Sequence, residues 1–243
     1  MKRTLAIGDI HGGFRALVQL LDRIHLSIED KLIFLGDYVD GWSQSAQVIN
    51  YLVDLEENVE CIFIKGNHDI WCEEWLRSGK VNDVWYAHGG KETIDSYAEF
   101  SEAEKAVHHD FFDRMKYYHI DQQNNLFIHA GFASVDGPQY EIPVFNTAWD
   151  RTLWEMAIST DDKIKKGSAS FPERFQLFNE IFIGHTPTIY YDEDLPMHRF
   201  NLWNIDTGAA FIGKLSGIDI NSKQIWQSET LQTLYPNEKG RNK

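Results

Sequence analysis

Residues that can coordinate a divalent cation recur in short polar loops, each of which follows an apolar run. Carboxylate and amide oxygens mixed with imidazole nitrogens suit manganese, iron, zinc, nickel or cobalt ions. None of these side chains is a cysteine, so a structural zinc site is not indicated. The loop residues of this kind are Asp9, His11, Asp37, Asn67, His68, His129 and His185.

The spacing and composition of these loops favour chelation over helix capping. Asp9 and His11 are two residues apart, and in an extended segment such side chains point the same way, so they can hold one ion. A single carboxylate such as Asp37 can bridge two ions. Each aspartate taken alone could instead cap a helix or close a turn. Capping needs no histidine, however, and the combination therefore predicts a metal centre.

The apolar runs before these loops are predicted to be short buried strands. They are Leu5–Ile7, Lys31–Leu35, Cys61–Ile64, Leu126–Ile128 and Ile181–Ile183. After the first loop, Phe14, Leu17, Val18, Leu21 and Ile24 are predicted to share one helical face. Strand–loop–helix units in series predict an α/β sheet whose ligand-binding loops lie at the carboxyl ends of the strands.

Length, charge and cysteine content narrow the classes of protein further. The 243 residues show no linker composition, so we expect one domain over residues 1–235 and a frayed polar tail over 236–243. A net charge of −14 disfavours general nucleic-acid binding. No apolar stretch is long enough to span a bilayer. Two cysteines give no disulfide framework, and we expect a cytoplasmic protein.

Five motifs, in order along most of the chain, resemble the calcineurin-like metallophosphoesterase signature and, within it, the phosphoprotein phosphatase branch. The bacterial members, protein phosphatases of the phage-lambda type and symmetrical diadenosine tetraphosphatases, are the most similar. The motifs are Gly8-Asp9-Ile10-His11-Gly12, Gly36-Asp37-Tyr38-Val39-Asp40, Gly66-Asn67-His68-Asp69, His129-Ala130-Gly131 and Gly184-His185-Thr186. The resemblance implies a four-layer α/β/β/α sandwich of two mixed β-sheets, with a dinuclear metal site at the carboxyl-terminal loops of the strands.

The resemblance also implies a role for each site residue. Asp9, His11 and Asp37 would bind the first ion, manganese being the expected metal. The second ion would be bound by Asp37, Asn67, His129 and His185. A hydroxide shared by the two ions would attack phosphorus. His68 would act as the general acid with Asp40 orienting its ring, while Arg151 and Asn67 would bind the substrate phosphate.

One departure from the family pattern concerns substrate binding. The family usually has an arginine directly after the second aspartate of the second motif, whereas this chain has Gly41. Asp69 likewise stands where protein phosphatases have a glutamate that steadies that arginine. A bidentate phosphate clamp is therefore missing. Lys65, Lys91 or Arg174 could compensate, and Trp42 could offer a face to a nucleobase.

Three functions are compatible with these residues. The first is hydrolysis of phosphoserine or phosphothreonine in proteins, and the alternative is hydrolysis of a nucleotide phosphoanhydride of the dinucleoside polyphosphate type. A third reading, from another class, is a catalytically weak module that binds a phosphorylated ligand. The six histidines outside the motifs are expected to be surface or packing residues, His88 being the least certain of them. The sequence leaves the oligomeric state open.

Overall fold

Two five-stranded β-sheets lie face to face in the computed structural model, which describes residues 2–242. The strands are β1 (Thr4–Ile7), β2 (Lys31–Phe34), β3 (Glu60–Phe63), β4 (Tyr118–Ile120), β5 (Leu126–Ile128), β6 (Ile181–Ile183), β7 (Met197–Arg199), β8 (Leu202–Asn204), β9 (Lys214–Asp219) and β10 (Ile225–Thr230). The α-helices are α1 (Phe14–Ile24), α2 (Ser45–Glu56), α3 (Asn67–Ser78), α4 (Asp83–Trp85), α5 (Lys91–Ser96), α6 (Glu102–Asp113), α7 (Thr152–Ser159) and α8 (Leu231–Leu234).

Each sheet contains three adjacent parallel strands, and antiparallel pairing adds β9 and β10 on one side of the first sheet and one strand at each edge of the second. The first sheet has the order β10-β9-β1-β2-β3, in which β1, β2 and β3 are parallel. The second has the order β4-β5-β6-β8-β7, in which β5, β6 and β8 are parallel. Since parallel strands end at a common edge, each sheet presents three carboxyl-terminal loops together.

The two sheets pack through an apolar layer that combines Ala6, Ile33 and Ile218 of the first sheet with Phe127 and Phe182 of the second. The outer face of the first sheet is covered by helices that include α1, α2 and α6. The outer face of the second sheet is covered by α7, whose Leu153 and Trp154 pack against β5 and β6. The expected four-layer α/β/β/α sandwich of two mixed sheets is therefore confirmed.

A frayed tail is expected over residues 236–243, but residues 236–242 make ordered contacts, and Lys243 lies outside the described residues. Tyr235 is buried and stacks on Trp42, with ring centroids 5.2 Å apart. Gly240 approaches the same indole so closely that an added Cβ would lie 2.6 Å from it. The Arg241 backbone N–H donates to Ala210 O at 2.8 Å. These contacts hold the segment against the loop that follows β2.

Two further observations concern expectations about single residues. Trp42 is fully buried and donates through Nε1 to the Ala209 carbonyl at 2.7 Å, so the expectation that it offers a face to a nucleobase is wrong. Cys61 and Cys72 are both free thiols. Within residues 2–242, no helix is both long and apolar enough to cross a membrane.

Candidate metal centre

Five parallel strands deliver the predicted ligands to one place. The loop after β1 carries Asp9 and His11, the loop after β2 carries Asp37, and Asn67 follows β3. The loops after β5 and β6 carry His129 and His185. Two groups of side chains have ligand atoms within 4.8 Å of one another: His11, Asp37 and His68 form one group, and Asp37, His129 and His185 form the other. Asp37 belongs to both groups, which is the arrangement that a bridging carboxylate requires.

Backbone carbonyls orient two of the imidazoles toward Asp37. His129 Nδ1 lies 2.7 Å from Leu35 O, and its Nε2 lies 3.4 Å from Asp37 Oδ2. His11 Nδ1 lies 3.1 Å from Asp40 O, and its Nε2 lies 3.5 Å from Asp37 Oδ2. A carbonyl bonded to one ring nitrogen fixes the tautomer and leaves the other nitrogen as a ligand. Both rings therefore present Nε2 to the centre.

Asp9 and Asn67 complete the expected set. Asp9 Oδ2 accepts the His185 backbone N–H at 3.0 Å, whereas its Oδ1 is buried and has no hydrogen-bond donor among the described residues. A buried carboxylate oxygen without a donor is costly unless it binds a cation. Asn67 Oδ1 lies 3.2 Å from His129 Nε2. The donor set and the unsatisfied oxygen fit a pair of divalent ions.

The pKa shifts of the candidate ligands also fit a site that binds cations. Burial raises the pKa of Asp37, but the imidazoles of His129 and His68 outweigh burial and hold this pKa well below its usual range. Burial and the neighbouring Asp206 carboxylate raise the pKa of Asp9 well above its usual range. Burial lowers the pKa of His129, yet Asp37 and Asp9 more than compensate and bring it to about 10. Clustered carboxylates thus stabilise positive charge between them.

The backbone of the ligand loops adopts conformations that L-residues rarely take. His11 and Asp37 have φ of 53°, and His185 has φ of 71°. Such residues cost about 1–3 kcal/mol each and concentrate at functional sites. Neighbouring glycines are needed for close approach: a Cβ on Gly66 would lie 2.2 Å from Asp37 Oδ1, and one on Gly184 would lie 2.0 Å from Asp9 Oδ1. The loops are therefore shaped around the carboxylates.

The predicted acid and its orienting residue are in direct contact. His68 Nδ1 lies 2.5 Å from Asp40 Oδ2. Trp85 Nε1 donates to Asp40 Oδ2 at 2.7 Å, and Thr93 Oγ1 donates to Oδ1 at 2.6 Å. Burial raises the pKa of Asp40 to about 8 despite these two donors, and burial lowers the pKa of His68 to about 3. Three contacts thus fix the position of the Asp40 carboxyl, and with these pKa values the pair holds its exchangeable proton on Asp40 at neutral pH.

Two aspartates have roles that the sequence did not predict. Asp69 accepts the backbone N–H groups of Asp37 at 2.7 Å, Gly66 at 2.8 Å and Tyr38 at 2.9 Å, so it joins the second and third loops. Asp206 follows β8 and is buried close enough to raise the pKa of Asp9. The signal for Asp206 was its position after an apolar run, as for the other site residues. Asp69 gave no comparable signal, because its partners are backbone atoms.

Arg151 stands at the exposed edge of the centre, where its Nε donates to His185 Nε2 at 3.2 Å. The three cations proposed to replace the missing clamp have other partners. Lys65 is buried, and its Nζ lies 2.7 Å from Glu73 Oε2. Lys91 pairs with Asp95 at 2.6 Å on the surface. Arg174 donates to Phe132 O at 2.6 Å and to Thr152. None of these partners belongs to the ligand cluster.

A sandwich of two mixed sheets that gathers carboxylates and imidazoles at its strand ends defines the metallophosphoesterase class. The sequence pattern of calcineurin-like phosphoesterases matches residues 2–207, and the chain belongs to that family. The resemblance inferred from the five motifs is therefore confirmed, as is the prediction of a phosphoric ester hydrolase that uses divalent metal ions.

Several known proteins are similar over most of their length. A symmetrical bis(5'-nucleosyl)-tetraphosphatase from Marinomonas sp. is 27% identical over 91% of this chain and 71% of its own. An asymmetrical bis(5'-nucleosyl)-tetraphosphatase from Oceanobacillus iheyensis is 25% identical over 90% of this chain and 88% of its own. A protein serine/threonine phosphatase from Saccharomyces cerevisiae has the same fold, with a TM-score of 0.59, 13% identity, and coverage of 94% of this chain and 80% of its own.

Proposed function

We propose that this protein hydrolyses a nucleotide phosphoanhydride of the dinucleoside polyphosphate type. The observation that carries the proposal is a cavity of about 690 Å³ beside the ligand cluster. Its wall includes the aromatic rings of Tyr86, Tyr190 and Phe211. An aromatic-lined cavity of this size can hold a nucleoside, whose base stacks on aromatic rings.

The cavity is adjacent to the ligand cluster. Gly89 lines the cavity, and a Cβ built on it would lie 3.1 Å from the carbonyl carbon of Asp40. Another wall residue, Arg241, packs against Gly41, which directly follows Asp40 in the second ligand loop. A nucleoside in the cavity would therefore place its phosphates at the strand ends.

Residues of the chain account for the steps of such a hydrolysis. Bound divalent ions would neutralise phosphate oxygens and activate the attacking water. The Asp40 carboxyl, which a pKa of about 8 keeps protonated at neutral pH, hydrogen-bonds His68 Nδ1, so that Nε2 can give its proton to the leaving oxygen while Nδ1 takes up the carboxyl proton. Arg151 at the edge of the centre can donate to a phosphate oxygen. The apolar sheet interface below the loops excludes water from the other side.

Two comparisons determine which candidate substrate ranks first. The relatives with tetraphosphatase names are similar over most of the chain, which favours a dinucleoside polyphosphate. The likeness to a protein serine/threonine phosphatase concerns the fold alone and keeps phosphoproteins as the second candidate. This order reverses the one that the motifs suggested. Manganese as the metal and the cytoplasm as the compartment are part of the proposal, the latter supported by two free thiols.

The test compares hydrolysis of diadenosine tetraphosphate, a phosphothreonine peptide and para-nitrophenyl phosphate by the manganese-loaded protein. We expect the highest kcat/KM with diadenosine tetraphosphate. Tyr190→Ala, which removes a 61% exposed ring from the cavity wall, should raise KM for that substrate about 10-fold and leave para-nitrophenyl phosphate unaffected. Preference for the phosphopeptide would support the second candidate. Ligand binding without turnover of any ester would show a binding module instead.

A further inference from the structure

The C-terminal segment brings a guanidinium group to the rim of the metal centre. Arg241 is half-buried, and its backbone is fixed by the hydrogen bond to Ala210. Its guanidinium carbon lies 5.4 Å from the centroid of the Phe211 ring, a cation–π contact. Arg241 and the adjacent Gly240 and Asn242 form one wall of the nucleoside-sized cavity. The side chain is thus held at the junction between the cavity and the ligand loops.

Arg241 fills the space where a side chain at position 41 would lie. A Cβ built on Gly41 would be 3.0 Å from Arg241 Cγ and 3.5 Å from Arg241 Cδ. Gly41 also has φ of 109°, a conformation that an arginine at this position would rarely adopt. The loop therefore excludes an arginine of its own, and the stem of Arg241 occupies that volume instead.

The stem of Arg241 borders the first ligand loop. The Cβ built on Gly41, which would lie 3.0 Å from Arg241 Cγ, would also lie 3.6 Å from the backbone oxygen of His11. Among residues 2–242, no carboxylate forms an ion pair with the guanidinium. Its N–H donors can therefore bind an incoming anion.

We propose that Arg241 is the phosphate-binding arginine of this enzyme, supplied by the C-terminal segment instead of the second ligand loop. The proposal rests on the proposed function in that the substrate carries a phosphate chain. A guanidinium matches two phosphate oxygens with parallel N–H donors, which an ammonium group cannot do. From its place between cavity and metal centre, Arg241 binds the phosphate next to the nucleoside.

The test measures phosphate affinity separately from turnover. Wild type, Arg241→Ala, Arg241→Lys and the control Lys239→Ala are loaded with manganese, and inorganic phosphate binding is followed by calorimetry. Lys239 is an exposed cation two residues away, so its loss changes the net charge equally. We expect R241A to bind phosphate about 10- to 100-fold more weakly, R241K to fall between, and K239A to match wild type. KM for diadenosine tetraphosphate should rise in the same order, with unchanged manganese content.

The outcomes separate this proposal from the proposed function. Weaker phosphate binding in R241A supports the role of Arg241 even when none of the four proteins hydrolyses diadenosine tetraphosphate, a result that would refute only the substrate assignment. Phosphate affinity and KM equal to wild type in R241A would overturn the role of Arg241. Should R241A fail to fold, R241K tests the proposal instead, because it keeps the positive charge and most of the aliphatic stem but loses the parallel N–H donors of the guanidinium. Unchanged affinity in R241K would then overturn the proposal.

Discussion

At the scale of single residues, the contact between His68 and Asp40 is the most constrained part of the centre. Asp40 is fully buried, and its carboxyl accepts hydrogen bonds from an indole and a hydroxyl as well as contacting the imidazole. Each of these partners lies on a different segment of the chain. The orientation of the ring is therefore determined by the packing of α4 and α5 against the loop after β2.

We expect His68→Asn to reduce turnover about 10²- to 10⁴-fold, because it removes the proposed proton donor without removing a ligand of the expected set. Manganese content, measured by mass spectrometry of the purified protein, should stay at the wild-type level. The loss should be smaller for a substrate with an acidic leaving group such as para-nitrophenol, which needs less protonation. Full activity of the variant on diadenosine tetraphosphate would contradict the role of His68 as acid.

Sequence alone could predict the candidate ligands that the fold brings together, but not their supporting residues. Asp9, His11 and Asp37 carry a signal because their side-chain chemistry and their place after strands agree. Asp69 accepts backbone N–H groups from the loop after β2, and a pattern of side-chain types in the sequence cannot predict such contacts. Arg241 is more distant still, because 200 residues separate it from Gly41, the residue that it packs against. Only the folded chain reveals that proximity.

At the scale of elements, short strands were predictable because each is a run of apolar residues with a polar loop behind it. The edge strands β4 and β7 were missed, because Tyr118–Ile120 and Met197–Arg199 are half-exposed and contain histidine or arginine. Helix α1 begins and ends near the predicted positions, but one residue of its predicted apolar face is wrong. Leu20 is fully buried, whereas Val18 is 40% exposed. The buried residues of this helix are Ala16, Leu17, Leu20, Leu21 and Ile24.

Helix α6 contains a buried histidine that links stability to pH. His108 is 1% exposed and its Nδ1 lies 2.9 Å from the Tyr97 hydroxyl. Burial lowers the pKa of His108 to about 4, outweighing the opposite effect of Glu104. The unfolded chain, with an ordinary histidine pKa of about 6.5, therefore binds this proton more readily than the folded chain between these two values. The contribution of His108 is fully present above pH 6.5 and is lost as the pH falls toward 4.

We expect His108→Gln to reduce the pH dependence of stability. Wild type should lose up to about 3 kcal/mol of unfolding free energy between pH 6.5 and pH 4 through this group, and the variant should lack that component. Urea titrations of both proteins at pH 7 and pH 5 give the comparison. EDTA in all samples makes protonation of the metal ligands contribute equally. Identical pH slopes in the two proteins would contradict this linkage.

At the scale of the whole molecule, the centre joins the two sheets. Asp9, His11 and Asp37 belong to loops of the first sheet, and His129 and His185 belong to loops of the second. Ions bound between them would stabilise the folded state only, since the unfolded chain cannot assemble the set. The α/β class followed from the strand–loop–helix order, whereas the presence of a second sheet followed only from the family resemblance. Pairing between strands such as β6 and β8, 18 residues or more apart, is not visible in local patterns.

We expect removal of metal ions by EDTA to lower Tm by at least about 5 °C relative to protein with manganese at 100 times its Kd. One saturated site at that concentration contributes about 2.7 kcal/mol, and a chain of this size gains about 2–4 °C per kcal/mol. Scanning calorimetry with and without manganese gives the shift. Asp37→Asn should remove most of it, because both groups of ligands share this carboxylate. A Tm independent of manganese in wild type would argue against a bound ion.

The position of Arg241 beside Gly41 affects how the protein can release a bound anion. The C-terminal segment holds the guanidinium beside the centre through the Arg241 N–H bond to Ala210, the packing of Gly240 on Trp42, the hydrogen bonds that Ser43 donates to Glu238 and the cation–π contact with Phe211. Transient detachment of the last few described residues would release bound anion while leaving both cations in place. Product departure could thus proceed at the rate of that local opening, independently of the chemistry at phosphorus.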